Sequence, residues 1–296
     1  MNGAYLDSLL AGRHAAESRQ RALAADPRIR MVATRAANLR VLDTGGNRPA
    51  LLLTPDGPCV IEHCLPLIEM LAPEFRVLCF DMPGFGFSYP RPDYRFGLNE
   101  TGDTVIELMD ALGIAQAVLA FSCANGFFAM NAAQRYPQRV SHLVLAQTPS
   151  PQAMQRWTKR IVPAPLKLPY LGQLVMAATA RKFATSWFDL SLPRESAHKA
   201  AFAQQARHAV ESGGCFCLAS LVQSLGDCNN HDLQGVQCPT LLYCGDNDFS
   251  HKYTDFESLK DVIPQAEIRV LSGCGHFPDL ERSADYASGL KQFVAA

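Results

Sequence analysis

The sequence carries almost no net charge: 27 Lys and Arg stand against 28 Asp and Glu, and charged residues make up only 19% of the chain. That balance leaves no basic stripe for nucleic acid or an anionic membrane surface, so neither is expected as a partner. Long apolar runs are missing too. None approaches the roughly 18–20 residues of a membrane span. An apolar signal core is absent near the start, where Asp7, Arg13, Glu17 and Arg19 interrupt it. The expectation is a cytoplasmic protein. Internal repeats and low-complexity tracts are also lacking. What is present is apolar material: 48% of 296 residues, enough for a sizeable core in one large domain, with or without an insertion. Cysteine is abundant, with ten residues. Without a secretory signal these are expected as reduced thiols rather than a disulfide framework. Cys79, Cys215, Cys217, Cys228, Cys238 and Cys244 fit small core residues. Cys215-Phe216-Cys217 lacks partner ligands at zinc spacing, so no metal site is expected, and nothing asks for a cofactor. The open question is whether one cysteine is a nucleophile.

Residues 1–27 read as a helical arm that Asp26-Pro27 ends. Short apolar runs then alternate with amphipathic ones. Met31–Ala33 and Leu39–Leu42 read as antiparallel strands before the Gly45-Gly46 turn. Ala50–Leu53, Arg76–Phe80, Ala117–Phe121, Leu143–Ala146, Thr240–Cys244 and Ile268–Leu271 read as buried strands. Helical periodicity fills Cys64–Leu71, Asn99–Leu112, Ala124–Arg135, Tyr253–Leu259 and Ser283–Val294. Such alternation predicts an α/β fold with a parallel sheet covered on both faces. Residues 151–231 break the rhythm and hold helical patterns punctuated by proline. The organisation expected is a core of 1–150 and 232–296, with a helical cap over 151–231.

Several segments, in order, resemble the α/β-hydrolase fold family. They are Pro49–Pro55 at the first central strand, Asp81-Met82-Pro83-Gly84-Phe85-Gly86-Phe87-Ser88, Leu112-Gly113-Ile114, and Arg135-Tyr136-Pro137. Gly245-Asp246-Asn247-Asp248 is similar to the family's acid loop, and Gly273-Cys274-Gly275-His276 to its histidine loop. The resemblance covers residues 30–150 and 232–296. It implies a mostly parallel sheet flanked by helices, and a nucleophile on a strained strand-to-helix elbow, Gly-x-Ser-x-Gly.

No intact elbow exists here; the chain reads Ala120-Phe121-Ser122-Cys123-Ala124-Asn125-Gly126. Family spacing puts the nucleophile eleven residues after Leu112 and thirteen before Tyr136, and both counts reach Cys123. Local chemistry favours Ser122, because that register has small residues on both flanks, whereas Cys123 is flanked by Phe121 and Asn125. Both registers stay open. A thiol at a helix N-terminus beside a histidine is readily activated. An acyl-thioester enzyme also reacts well with amines and thiols, which favours acyl transfer alongside hydrolysis.

The resemblance makes His276 the base and Asp248 the acid that orients it, with Asp246 the rival acid. It assigns the oxyanion hole to the backbone N–H groups of Ala124 and Asp56. Thr54-Pro55 replaces the family's His-Gly there, and a nearby Asp56 carboxylate would repel an oxyanion unless it turned away. From the cap, Trp157, Trp187 and Phe188 are the candidate substrate-pocket residues. Lys159, Arg160, Arg181 and Lys182 read as a solvated basic cluster. The expected activity is hydrolysis or acyl transfer of a small-molecule ester or acyl thioester, free or carried on coenzyme A or a carrier protein. Three rivals stand beside it: a Ser122 esterase, a ligand-binding member without catalysis, and a cofactor-free lyase or isomerase using His276.

Overall fold

The computed structural model describes residues 3–12 and 26–296. Eight strands build the main sheet: β1 (Ile29–Ala33), β2 (Ala37–Asp43), β3 (Ala50–Thr54), β4 (Arg76–Phe80), β5 (Ala117–Ser122), β6 (Val140–Ala146), β7 (Thr240–Gly245) and β8 (Glu267–Leu271). A further two-residue strand, Tyr89–Pro90, pairs with β2. The spatial order is β1-β2-β4-β3-β5-β6-β7-β8. β1 and β2 form an antiparallel hairpin, and β2 meets β4 antiparallel. From β4 to β8 every pairing is parallel. Parallel neighbours require crossovers, and helices supply them.

The helices are α1 (Ala4–Gly12), α2 (Leu65–Leu71), α3 (Leu98–Ala111), α4 (Asn125–Arg135), α5 (Pro151–Ile161), α6 (Leu171–Ser191), α7 (Lys199–Glu211), α8 (Leu218–Leu225), α9 (Pro278–Glu281) and α10 (Ser283–Ala295). Successive residues of a strand face opposite sides of the sheet, so the central strands feed two cores. On one side Leu119 and Phe121 pack with Val105 and Met109 of α3 and Phe127 of α4. On the other, Val118 and Ala120 pack with Ile68 of α2 and Tyr286 and Leu290 of α10. All ten cysteines are free thiols, eight of them buried.

The expected strands all form, most lengthened by one to three residues, but β8, expected to be buried, is an edge strand whose Val270 is 62% exposed. The expected arm is helical over Ala4–Gly12, while its continuation lies outside the described residues. The expected helix over Tyr253–Leu259 does not form; only a 3-10 turn, Glu257–Asp261, is present. Side chains there bond the backbone locally instead. Asp255 Oδ1 accepts from Glu257 N, and Ser258 Oγ donates to Asp255 O, an arrangement that competes with a regular helix. Between β6 and β7 the chain is mainly helical, with one short exception: Cys215–Phe216 pairs with Phe85–Gly86. No helix among the described residues is long and apolar enough to cross a membrane.

Candidate active site

The site gathers at the carboxyl ends of β3, β5, β7 and β8, where open α/β sheets place their ligand crevices. Cys123 follows β5 directly and has φ +51°, a left-handed conformation uncommon outside glycine. Its N–H donates to Ala146 O at 2.7 Å, and its carbonyl accepts from Thr148 Oγ1 at 2.9 Å. The turn delivers the thiol to the start of α4, where helix N–H groups favour negative charge. Gly126 is required one turn on, because a Cβ there would lie 2.3 Å from Thr148 Oγ1.

Strand alternation settles where Ser122 points. It shares the face of Val118 and Ala120, and its hydroxyl donates to Asp279 Oδ2 at 3.1 Å. Cys123 instead faces His276 and His251. Its Sγ, one ring nitrogen of His276 and one of His251 lie within 4.8 Å of one another, and all three residues are buried.

His276 comes from the loop after β8. Its N–H donates to Ser191 O at 2.9 Å, and Glu281 Oε1 accepts from the flanking Gly275 and Phe277 N–H groups. His276 Nδ1 bonds Asp248 Oδ2 at 2.6 Å. Asp248 is the best-supported carboxylate of the site. Gln147 Nε2 donates to its Oδ2, and Ser250 N, Ser250 Oγ and His251 N donate to its Oδ1. Burial alone would raise its pKa, but His276 and these donors outweigh burial and hold it down at about 2. Asp246, the rival acid, bonds Ser272 and the Gly273 N–H on the exposed side.

Asp56, expected to contribute a backbone N–H, also turns its carboxylate into the site. Its Oδ2 lies 3.2 Å from His276 Nε2. The imidazole is therefore held between two carboxylates. Burial opposes its charge, yet Asp248, Cys123 and Asp56 together carry its pKa well above the ordinary histidine value. Burial raises Asp56 despite the His276 contact. Burial and the Asp56 charge raise the Cys123 thiol, while His276 and the Ala124 N–H pull it down.

Asn125, a crowded flank by the sequence pattern, fits because its side chain leaves the elbow. Asn125 Nδ2 donates to Thr54 Oγ1 at 2.8 Å and to Pro55 O at 3.2 Å. The other flank, Phe121, is fully buried and meets Phe80 edge-on.

A cavity of about 360 Å³ opens onto Cys123, Ala124, Asn125 and Asp56 and runs under the inserted helices. Trp157 and Trp187 line it. Phe188 does not. It is fully buried one residue further along α6 and packs on Phe202 and Phe277, because adjacent helical positions face about 100° apart. Of the basic cluster only Lys159 reaches the cavity, while Arg160 lies over Tyr253 and Arg181 pairs with Glu211.

Two site residues escaped the sequence reading. Gln147, at φ +49°, braces Asp248 and the end of β7. His251 sits between Trp157 (4.7 Å, 8°) and His276 (5.1 Å, 25°). A histidine three residues after the acid was the only available signal for it.

The sequence is 29% identical over 241 residues to a poly(3-hydroxyalkanoate) depolymerase of Ectopseudomonas oleovorans, covering 79% of this chain and 80% of that one. It is 26% identical to a pimeloyl-[acyl-carrier protein] methyl ester esterase of Xanthomonas campestris pv. campestris, over 86% of this chain and 98% of that one. Among solved structures, epoxide hydrolase A of Mycobacterium thermoresistibile superposes with a TM-score of 0.74 at 17% identity, covering 90% of this chain and 98% of that one, a likeness of fold. The sequence profile described as alpha/beta hydrolase fold matches residues 58–283, well over half of the chain. The chain is thus an enzyme of the α/β-hydrolase fold family.

Proposed function

We propose that the protein hydrolyses or transfers the acyl group of an ester or thioester through an acyl-Cys123 intermediate. One observation carries this: Cys123 occupies the left-handed elbow at the start of α4 and faces His276, while Ser122 is turned away to Asp279. Substrate enters the cavity with its carbonyl carbon at Sγ. The S–C bond forms as the thiol proton passes to the His276–Asp56 pair, whose carboxylate burial makes more basic than an exposed one. The carbonyl oxygen gathers negative charge near the Ala124 N–H, and near the Asp56 N–H once the proton taken up by the His276–Asp56 pair has neutralised the carboxylate that would otherwise repel it. The tetrahedral adduct collapses, and the proton leaves with the alcohol or thiol. Water or a second nucleophile then attacks the thioester and gives its proton to the same pair, and the S–C bond breaks as that proton returns to the Cys123 sulfur. Asp248, ionised throughout, holds the imidazole in place. The names of the relatives, a depolymerase and a methyl ester esterase, support ester-type substrates, one of them carried on a protein.

The test is intact mass after incubation with acyl thioesters and activated esters of several chain lengths. Wild type should gain one acyl mass, and Cys123→Ala should gain none. An adduct that survives Cys123→Ala refutes the reading and moves the nucleophile to Ser122. Absence of any adduct or turnover in wild type favours a binding role.

A further inference from the structure

We propose that Cys123, His251, His276 and Asp56 form a capture site for Zn²⁺ or a cation of like chemistry, and that the metal masks the thiol. Sequence spacing gave no reason to expect this, because the ligands come from four separate loops and the fold alone brings them together.

The donor set fits. One thiol sulfur and two imidazole nitrogens lie within 4.8 Å of one another, all buried. The Asp56 carboxylate adds an oxygen 3.2 Å from His276 Nε2. Sulfur, two nitrogens and a carboxylate oxygen suit a four-coordinate zinc centre. Tetrahedral zinc separates such donors by roughly 3.3–3.6 Å, so Cys123, His251 and His276 close by up to about 1.5 Å on binding, and Asp56, which lies outside that group, swings in toward the metal.

A second observation points independently to a ligand. His251 is only 3% exposed, and its Nε2 has no hydrogen-bond partner among the described residues. A buried nitrogen without a partner is costly unless something occupies it. The remaining ring nitrogens are already braced as metal-binding histidines require. His276 Nδ1 bonds Asp248 Oδ2 at 2.6 Å, and His251 Nδ1 meets Thr254 Oγ1 at 3.0 Å. Each brace leaves Nε2 as the metal-facing atom. The two rings stand 25° apart, so they must fan open for their lone pairs to converge. The cavity that reaches Cys123 and Asp56 provides the entry path. On binding, the thiol proton and the Nε2 proton of His276 leave to solvent, and Asp56 moves from that nitrogen to the metal.

The proposal does not depend on the acyl-enzyme reading, since it is tested by binding alone. Co²⁺ is titrated into the reduced full-length chain, the near-ultraviolet thiolate-to-cobalt band is read, and Zn²⁺ is added in competition. One band-forming Co²⁺ per chain is expected, displaced by one Zn²⁺. Cys123→Ser should abolish the band, and His251→Gln should weaken binding about tenfold or more with the circular dichroism spectrum unchanged. Should His251→Gln fail to fold, Thr254→Val, which removes only its brace, should weaken binding by a similar factor. Cys215→Ala should change nothing. A wild type without the band overturns the proposal. A band that survives Cys123→Ser, or one lost in Cys215→Ala, also overturns it.

Discussion

Ser122→Ala separates the two elbow registers and also tests the buried bond beneath the site. In the structure Ser122 Oγ donates to Asp279 Oδ2 at 3.1 Å, and Asp279 Oδ1 has no partner among the described residues. Burial lifts the Asp279 carboxyl to about 6, against a smaller downward pull from Ser122. Its folded value therefore exceeds the ordinary value of 3.8, so its ionisation removes stability as pH rises from about 4 through about 6. Above that window the Ser122 bond is to a charged group and contributes about 1.5–3 kcal/mol; below it the bond is neutral and contributes about 0.5–1.5 kcal/mol. Ser122→Ala should therefore destabilise the fold more at pH 8 than at pH 5. At roughly 2–4 °C per kcal/mol, Tm should fall by about 3–12 °C at pH 8 and by half that or less at pH 5. Acylation at Cys123, read by intact mass on the folded variant, should persist. Loss of the adduct from folded Ser122→Ala would overturn the Cys123 assignment. Equal destabilisation at the two pH values would refute the account of Asp279.

Phe188→Ala should cost about 3–5 kcal/mol in chemical denaturation, as for a buried aromatic, with KM unchanged at temperatures where the variant is folded. A raised KM with normal stability would return Phe188 to the substrate pocket. Trp187 lines the cavity, while its indole Nε1 is buried without a partner among the described residues. Trp187→Phe removes that unsatisfied donor and should leave Tm unchanged or raise it; a lower Tm would contradict this. Asp7 of α1 accepts from Ser220 Oγ at 2.6 Å, and burial raises its carboxyl to about 6, Ser220 opposing. Its ionised form weakens docking as pH rises through that window, so Asp7→Asn should stabilise the protein at pH 8, on the order of 2–3 kcal/mol, and leave it unchanged near pH 4. An equal effect at both values would place the cause elsewhere.

Strand and helix periodicity carried most of the fold, because the central strands are continuous apolar runs buried on both faces. The acid and histidine loops were legible through their likeness to the family's loop motifs, Gly245–Asp248 and Gly273–His276. His251 and Gln147 were not. Each acts through a contact made across the fold, Gln147 on Asp248 and His251 against His276, and neither contact leaves a periodic trace. Phe188 was misplaced for a different reason. It is as aromatic as Trp187 and lies beside it, and composition cannot tell which face of α6 meets the cavity. The absent helix at 253–259 was lost to Asp255 and Ser258, whose local bonds a hydropathy pattern does not register.

The departures from the family pattern at the elbow and at the first central strand looked independent in the sequence. In the structure they touch. Asn125 stands where the elbow pattern asks for glycine, and its side chain bonds Thr54 and Pro55, which stand where the pattern asks for His-Gly. That contact fixes the loop whose next residue, Asp56, reaches His276 Nε2. With glycine at 125 the loop loses both bonds, and with His-Gly at 54–55 Asn125 loses its hydroxyl acceptor, Thr54 Oγ1. The side chains therefore form one unit, and its effect is electrostatic: a second carboxylate on the imidazole. A serine hydroxyl needs the Nε2 lone pair as its base, and Asp56 occupies that nitrogen. A thiol has a far lower intrinsic pKa and needs less help to ionise. The altered loop and the cysteine are thus mutually consistent, because an imidazole whose Nε2 meets Asp56 suits a thiol better than a serine hydroxyl.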